Sequence, residues 1–189
     1  MSLLICGDSK NKSKNMVRNK NIFISITVLA AIFICGCSNP YSKDFQLTTV
    51  NEGRGYTAIE LNGTGGLQLD DGSISDDYLI VRKYKYNNLT IYYQLLYQYH
   101  SASDNMHPER LIFSIDKQKD VINFLGSGIS NDKEMAWVIV EPPFLEKVAK
   151  AKEVLLSVDG TTESVDYVFN KKYLYFFKRF YKECVQRDK

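Results

Sequence analysis

Cysteine is nearly absent from the body of this chain. Of four cysteines in 189 residues, Cys6, Cys35 and Cys37 fall within the first 37 positions and only Cys184 lies beyond them. A domain with one thiol has no internal disulfide, so an apolar core must hold it together. Cys184 itself reads as a small buried apolar residue on a helix face. Histidine is as scarce: His100 and His107 are the only two, which confines imidazole chemistry to one short stretch. No Gly-x-Ser-x-Gly elbow occurs, so the strand-to-helix nucleophile of one large hydrolase class is missing. Gly53-Arg54-Gly55 and Gly63-Thr64-Gly65-Gly66 lack the following Lys-Ser or Lys-Thr of a phosphate loop and read as loop glycines. No apolar run reaches the roughly 20 residues that cross a bilayer as a helix.

An excess of positive charge is also missing. The whole chain carries +2, from 24 Lys and Arg against 22 Asp and Glu. Five of the basic residues (Lys10, Lys12, Lys14, Arg18, Lys20) and one acidic residue (Asp8) lie before Cys37. Without them 24 basic residues become 19 and 22 acidic become 21, a net of −2. That balance is no nucleic-acid footprint, which needs a concentrated basic patch.

What is present begins with the N-terminal 37 residues. Arg18 and Lys20 precede the apolar stretch from Ile22 to Ile34, which ends in Ile34-Cys35-Gly36-Cys37 and then the polar Ser38-Asn39-Pro40. Charged, apolar and small-residue regions in that order are those of a secretory signal. Ile34-Cys35-Gly36-Cys37 resembles the lipobox of the bacterial lipoproteins, with Cys35 in the middle position as a departure from the usual pattern. The resemblance implies that Cys37 is diacylated and becomes the mature N-terminus. It further implies that the membrane is a partner through this lipid. If the envelope is Gram-negative, Ser38 after Cys37 implies an outer-membrane location facing the periplasm. Residues 1–36 are then a signal peptide, with Met16 as a candidate true start, residues 37–44 a lipidated tether, and 45–189 a single globular domain. A length near 150 residues is enough for one adequate core.

The domain reads as α+β, mainly an antiparallel sheet or sandwich with a short helix and a C-terminal amphipathic helix packed against it. Strands are expected at 45–50, 56–61, 66–70, 78–86, 89–100, 111–115, 135–140, 153–158 and 164–169. Residues 121–125 suit either a hairpin partner or one helical turn, and Gly126-Ser127-Gly128 reads as a turn. Leu79, Val81 and Lys83 share one face of the 78–86 strand, and Asn87-Asn88 suits a tight hairpin turn. The segment 135–140, apolar on both faces, is expected inside a sheet. Pro142-Pro143 suits a helix start, giving a helix at 144–152. Tyr173, Phe177, Phe180 and Cys184 make a helical stripe over 173–185, flanked by Leu174 and Tyr181.

Three constellations remain as candidates for function. His100, Asp104 and His107 supply two imidazoles and a carboxylate, a chemically sufficient set for zinc, in a segment that reads as a loop. The acidic run from Asp70 to Asp77 offers clustered oxygens for calcium, or else a solvated β-turn with Gly72 at its tight position. Tyr84, Tyr86, Tyr92, Tyr93, Tyr97 and Tyr99 gather in one hairpin, and tyrosine suits recognition surfaces because it combines area with a polar tip. The competing reading sends one tyrosine set into the core. The leading functional expectation is a non-enzymatic envelope lipoprotein, without a cofactor, whose β-rich domain binds another cell-envelope component. The alternatives are a periplasmic inhibitor or immunity lipoprotein, using loop 101–109, and a metal-dependent hydrolase at His100, Asp104 and His107.

Overall fold

A computed structural model describes residues 39–189 except 63, 88, 100–106, 131–132 and 189. The chain divides into two units, 1–42 and 43–189. Of the first, a single 3-10 turn at Pro40–Ser42 is described, closed by the Ser42 amide donating to the Asn39 carbonyl at 2.9 Å. Cys37 lies outside the described residues.

The second unit is built from antiparallel strands. β1 (Gln46–Gly53), β2 (Tyr56–Asn62), β4 (Tyr78–Tyr86), β5 (Leu89–Tyr99), β8 (Gly126–Ser130) and β9 (Lys133–Val140) form one sheet in the order β1-β2-β4-β5-β9-β8. β3 (Gln68–Leu69), β6 (Pro108–Ile115), β7 (Gln118–Asn123), β10 (Val154–Gly160) and β11 (Ser164–Val168) form the second, in the order β3-β11-β10-β6-β7. Two α-helices follow late in the chain, α1 (Pro142–Lys150) and α2 (Lys171–Phe180). The expected class, a mainly antiparallel α+β domain, is the one observed.

Side-chain alternation fixes which face of each strand turns inward. On the first sheet the inward set pairs Leu79 with Tyr97, Val81 with Leu95 and Lys83 with Tyr93. On β9, Ala136, Val138 and Val140 continue it. All of these are buried. Tyr97 reaches the second sheet directly: its hydroxyl lies 2.7 Å from that of Tyr167 on β11, which donates to Asp77 at 2.6 Å. Elsewhere aromatic rings join the second sheet to the helices. Phe113 meets Phe144 of α1 at 5.0 Å and Phe169 at 6.2 Å, and Phe169 meets Phe177 of α2 at 5.4 Å. Edge-to-face and tilted ring pairs of this kind add about 0.5–1.5 kcal/mol each beyond simple burial.

Both helices carry start signals that their sequences dictate. Pro142 and Pro143 occupy the first turn of α1, where a missing N–H costs nothing. Asn170 caps α2, its side-chain oxygen accepting from the amides of Lys172 and Tyr173 at 3.0 Å each. The expected single helix over 173–185 is corrected in two respects. It starts at Lys171, and its last turn widens into a π-turn over Tyr181–Val185. That turn aims the Cys184 carbonyl at the first sheet, where Lys83 Nζ donates to it at 2.7 Å and the Tyr93 hydroxyl at 3.3 Å. Lys83 is only 2% exposed, so its charge is met by a helix C-terminal carbonyl, the favourable end of the backbone dipole for a cation. Cys184 is buried, as expected.

Of the two readings open for 121–125, the hairpin partner is the one observed: residues 118–123 form β7, paired with β6. One further expectation changes. Gly126-Ser127-Gly128 is no turn; it lies within β8, paired with β9 from Gly126↔Trp137 to Ser130↔Lys133. Gly126 is there for space: a Cβ on it would stand 2.6 Å from the indole of Trp137.

Candidate functional site

The tyrosine hairpin divides between two environments. Tyr93, Tyr97 and Tyr99 point inward and are buried, which removes them from the outward face of the sheet. Tyr84, Tyr86 and Tyr92 point outward. The cause is the two-residue period of a strand, which sends the adjacent Tyr92 and Tyr93 to opposite faces. A bulge between Tyr84 and Lys85, where the partner steps from Tyr92 to Thr90, increases the local bend near the hairpin tip.

The outward face of the first sheet is a continuous ribbon of aromatic and amide groups. Tyr84 stacks on Tyr92 at 4.6 Å, and Tyr56 of β2 tilts against Tyr86 at 4.8 Å. Burial under these neighbours, with the Tyr84 phenol close by, raises the Tyr92 pKa. One register step along, Glu60, Arg82, Gln94 and Ile139 stand side by side across β2, β4, β5 and β9. A further step brings Ile80, Leu96 and Trp137 together, with Gly126 beyond. Arg82 pairs with Glu60 at 2.5 Å and donates to the Tyr84 hydroxyl at 3.3 Å. The Nε of Arg82 and the Oε1 of Gln94 are buried without a hydrogen-bond partner. A donor and an acceptor thus sit on directly opposed residues between tyrosine rings and an indole. Such groups complement an amide or a hydroxyl-bearing ligand.

No family model matches the chain, and no curated protein or solved structure matches it.

A concavity opens at the end of the first sheet's inward face. Tyr99, His107, Pro108, Ser127, Gly128, Ile129 and Glu134 enclose a volume of about 270 Å³. The Tyr99 hydroxyl donates to Glu134 Oε2 at 2.6 Å. Burial and the adjoining Glu134 carboxylate push the Tyr99 pKa up, so the phenol keeps its proton and remains the donor. His107 is exposed at this mouth. Its expected zinc partners, His100 and Asp104, lie outside the described residues. Among the described residues no group of three His, Cys, Asp or Glu could hold a metal ion.

The acidic run is a turn. Asp71 accepts from the Ser73 amide at 2.8 Å and from its hydroxyl at 2.6 Å, which lowers the Asp71 pKa, and Gly72 holds φ +87. Asp77, at its end, belongs to the buried tyrosine network instead. Of loop 101–109, residues 101–106 lie outside the described set, and Pro108 and Glu109 belong to β6.

Sequence reasoning missed Glu134, Arg82, Gln94 and Trp137. Parity offered a signal for Glu134: Ala136, Val138 and Val140 place it on the inward face by steps of two. Two glycines spaced by two opposite a tryptophan-bearing strand were the corresponding signal for Trp137.

Proposed function

We propose that this chain is the precursor of a bacterial envelope lipoprotein, lipidated at Cys37, whose domain is a non-enzymatic binding module for another cell-envelope component. The observation that carries the reading is the outward ribbon of the first sheet, where Arg82 Nε and Gln94 Oε1 lack partners between the Tyr84–Tyr92 stack and Trp137. Buried polar atoms are ordinarily satisfied; in this reading a ligand that displaces the side chains covering these two supplies what they lack. Aromatic anchors around a few unsatisfied polar groups are the usual make-up of a binding hot spot. Ile139, 45% exposed on the same face, adds apolar area.

The test has two parts. Cells fed labelled palmitate should incorporate it into the native chain and not into Cys37→Ala. A photo-reactive residue at Ile139 should capture an envelope component in living cells, while one at Leu155, on the second sheet, should not. Absence of label in the native chain would overturn lipidation. Equal capture from both positions would overturn the binding face.

A further inference from the structure

Among the described residues four strands form sheet edges, and three of them are blunted. β1 carries a bulge at Glu52, β3 is two residues long and bridges to Ile74, and β7 carries Lys119 and Asp120. Bulges, shortness and charge are the devices that keep an edge from pairing with another chain. β8 has none of them. Its sequence Gly-Ser-Gly-Ile-Ser holds no charge and no proline, and its register with β9 is unbroken. Among the described residues no strand pairs with its other side. Ile129 is 77% exposed on it, and Leu125, just before it, is 64% exposed.

The cavity at Glu134 lies beside this edge. Ser127 and Ile129 pair with Ala136 and Glu134, so they share the inward face with the cavity and form one of its walls. A strand added to β8 would place every second side chain on that face, over the opening. At about 270 Å³ the space falls below the usual range for small-molecule sites, roughly 300–1,000 Å³, and suits one long side chain. Its lining offers the Glu134 carboxylate, held in place by the Tyr99 hydroxyl. A carboxylate selects a cationic head.

We propose that β8 accepts an extended peptide segment of a partner protein as an added strand, with a lysine or arginine side chain seated in the cavity against Glu134. Main-chain hydrogen bonds to β8 give the affinity and the cavity gives the choice of side chain, the logic of strand addition generally. The surface is separate from the tyrosine ribbon, and the proposal does not rest on it.

Trp137, the chain's one tryptophan, packs over Gly126 and Gly128 and is a built-in reporter of β8. Its fluorescence would be followed while the full chain is titrated with a blocked heptapeptide alternating threonine and valine, with lysine at the centre. A second peptide carries glutamate in that place. The expected result is saturable binding of the lysine peptide, at least roughly tenfold tighter than the glutamate peptide. Glu134→Gln, which keeps an acceptor for Tyr99, should shrink that preference to below about threefold, and Ile129→Lys should abolish binding while circular dichroism stays unchanged. Equal binding of the two peptides, or no saturation by about 1 mM, would overturn the proposal. So would dimerisation that Ile129→Lys abolishes, which would give the edge to a second copy of this chain.

Discussion

At the scale of single residues, the hydroxyl of Tyr167 does more than its ring. It donates to Asp77 and shares a hydrogen bond with Tyr97, linking the two sheets through a buried chain of three polar groups. Tyr167→Phe removes both bonds and leaves the Tyr97 hydroxyl buried without that partner. Loss of a partner for a buried polar group costs about 1–3 kcal/mol. Tyr97→Phe leaves the Tyr167–Asp77 bond intact and should cost less, about 0.5–1.5 kcal/mol. Urea unfolding of the two single variants and the double variant measures this. Equal losses would show that the chain does not run through Tyr167. Side-chain direction was readable here: Leu79, Val81 and Lys83 share the face that the alternation assigns them. The partner of Lys83 was not, because a carbonyl acceptor on the backbone carries no residue-type signature.

At the scale of elements, β8 depends on one missing side chain. A Cβ at Gly126 meets the Trp137 ring, so Gly126→Val must push the indole outward or part β8 from β9. Overpacking of this kind costs about 1–3 kcal/mol. The expected outcome is a loss of stability in that range with a red-shifted Trp137 emission, while Ser127→Val changes neither, since Ser127 is exposed. Unchanged emission in Gly126→Val would mean that the ring does not rest on β8. The strands that were easy to place, β4, β5 and β9, are rich in β-branched and aromatic residues, which packing on a pleated surface favours. β8 was taken for a turn because local preference punishes glycine in a strand, and the compensating ring lies on the neighbouring strand. For the same reason the facing of the six tyrosines was not readable. Tyrosine density marked the hairpin, but face assignment needs the sheet's neighbours, which divided the tyrosines three and three.

At the scale of the whole molecule, four buried phenols join distant segments of the fold. Burial raises the pKa of Tyr97, Tyr99 and Tyr167 far above the ordinary tyrosine value and pushes Tyr173 up to about 12. The folded domain therefore holds these protons above pH 10 or so, where the unfolded chain releases them. Unfolding then releases protons, and stability falls as pH rises from about 10, with no contribution from these groups below that. Tm measured across that range should drop, and Tyr167→Phe should shallow the slope. A Tm that stays level above pH 10 would contradict the burial. The division of eleven strands into two sheets was not readable, because pairing partners such as β5 and β9 are joined by no local signal. The link between Lys83 and Cys184 spans 101 residues. A ribosome has therefore made all six strands of the first sheet before this carbonyl exists. A chain cut before that residue would lose both contacts made to this one carbonyl, from the Lys83 ammonium and from the Tyr93 hydroxyl, and with them a tie between the first sheet and the end of the chain.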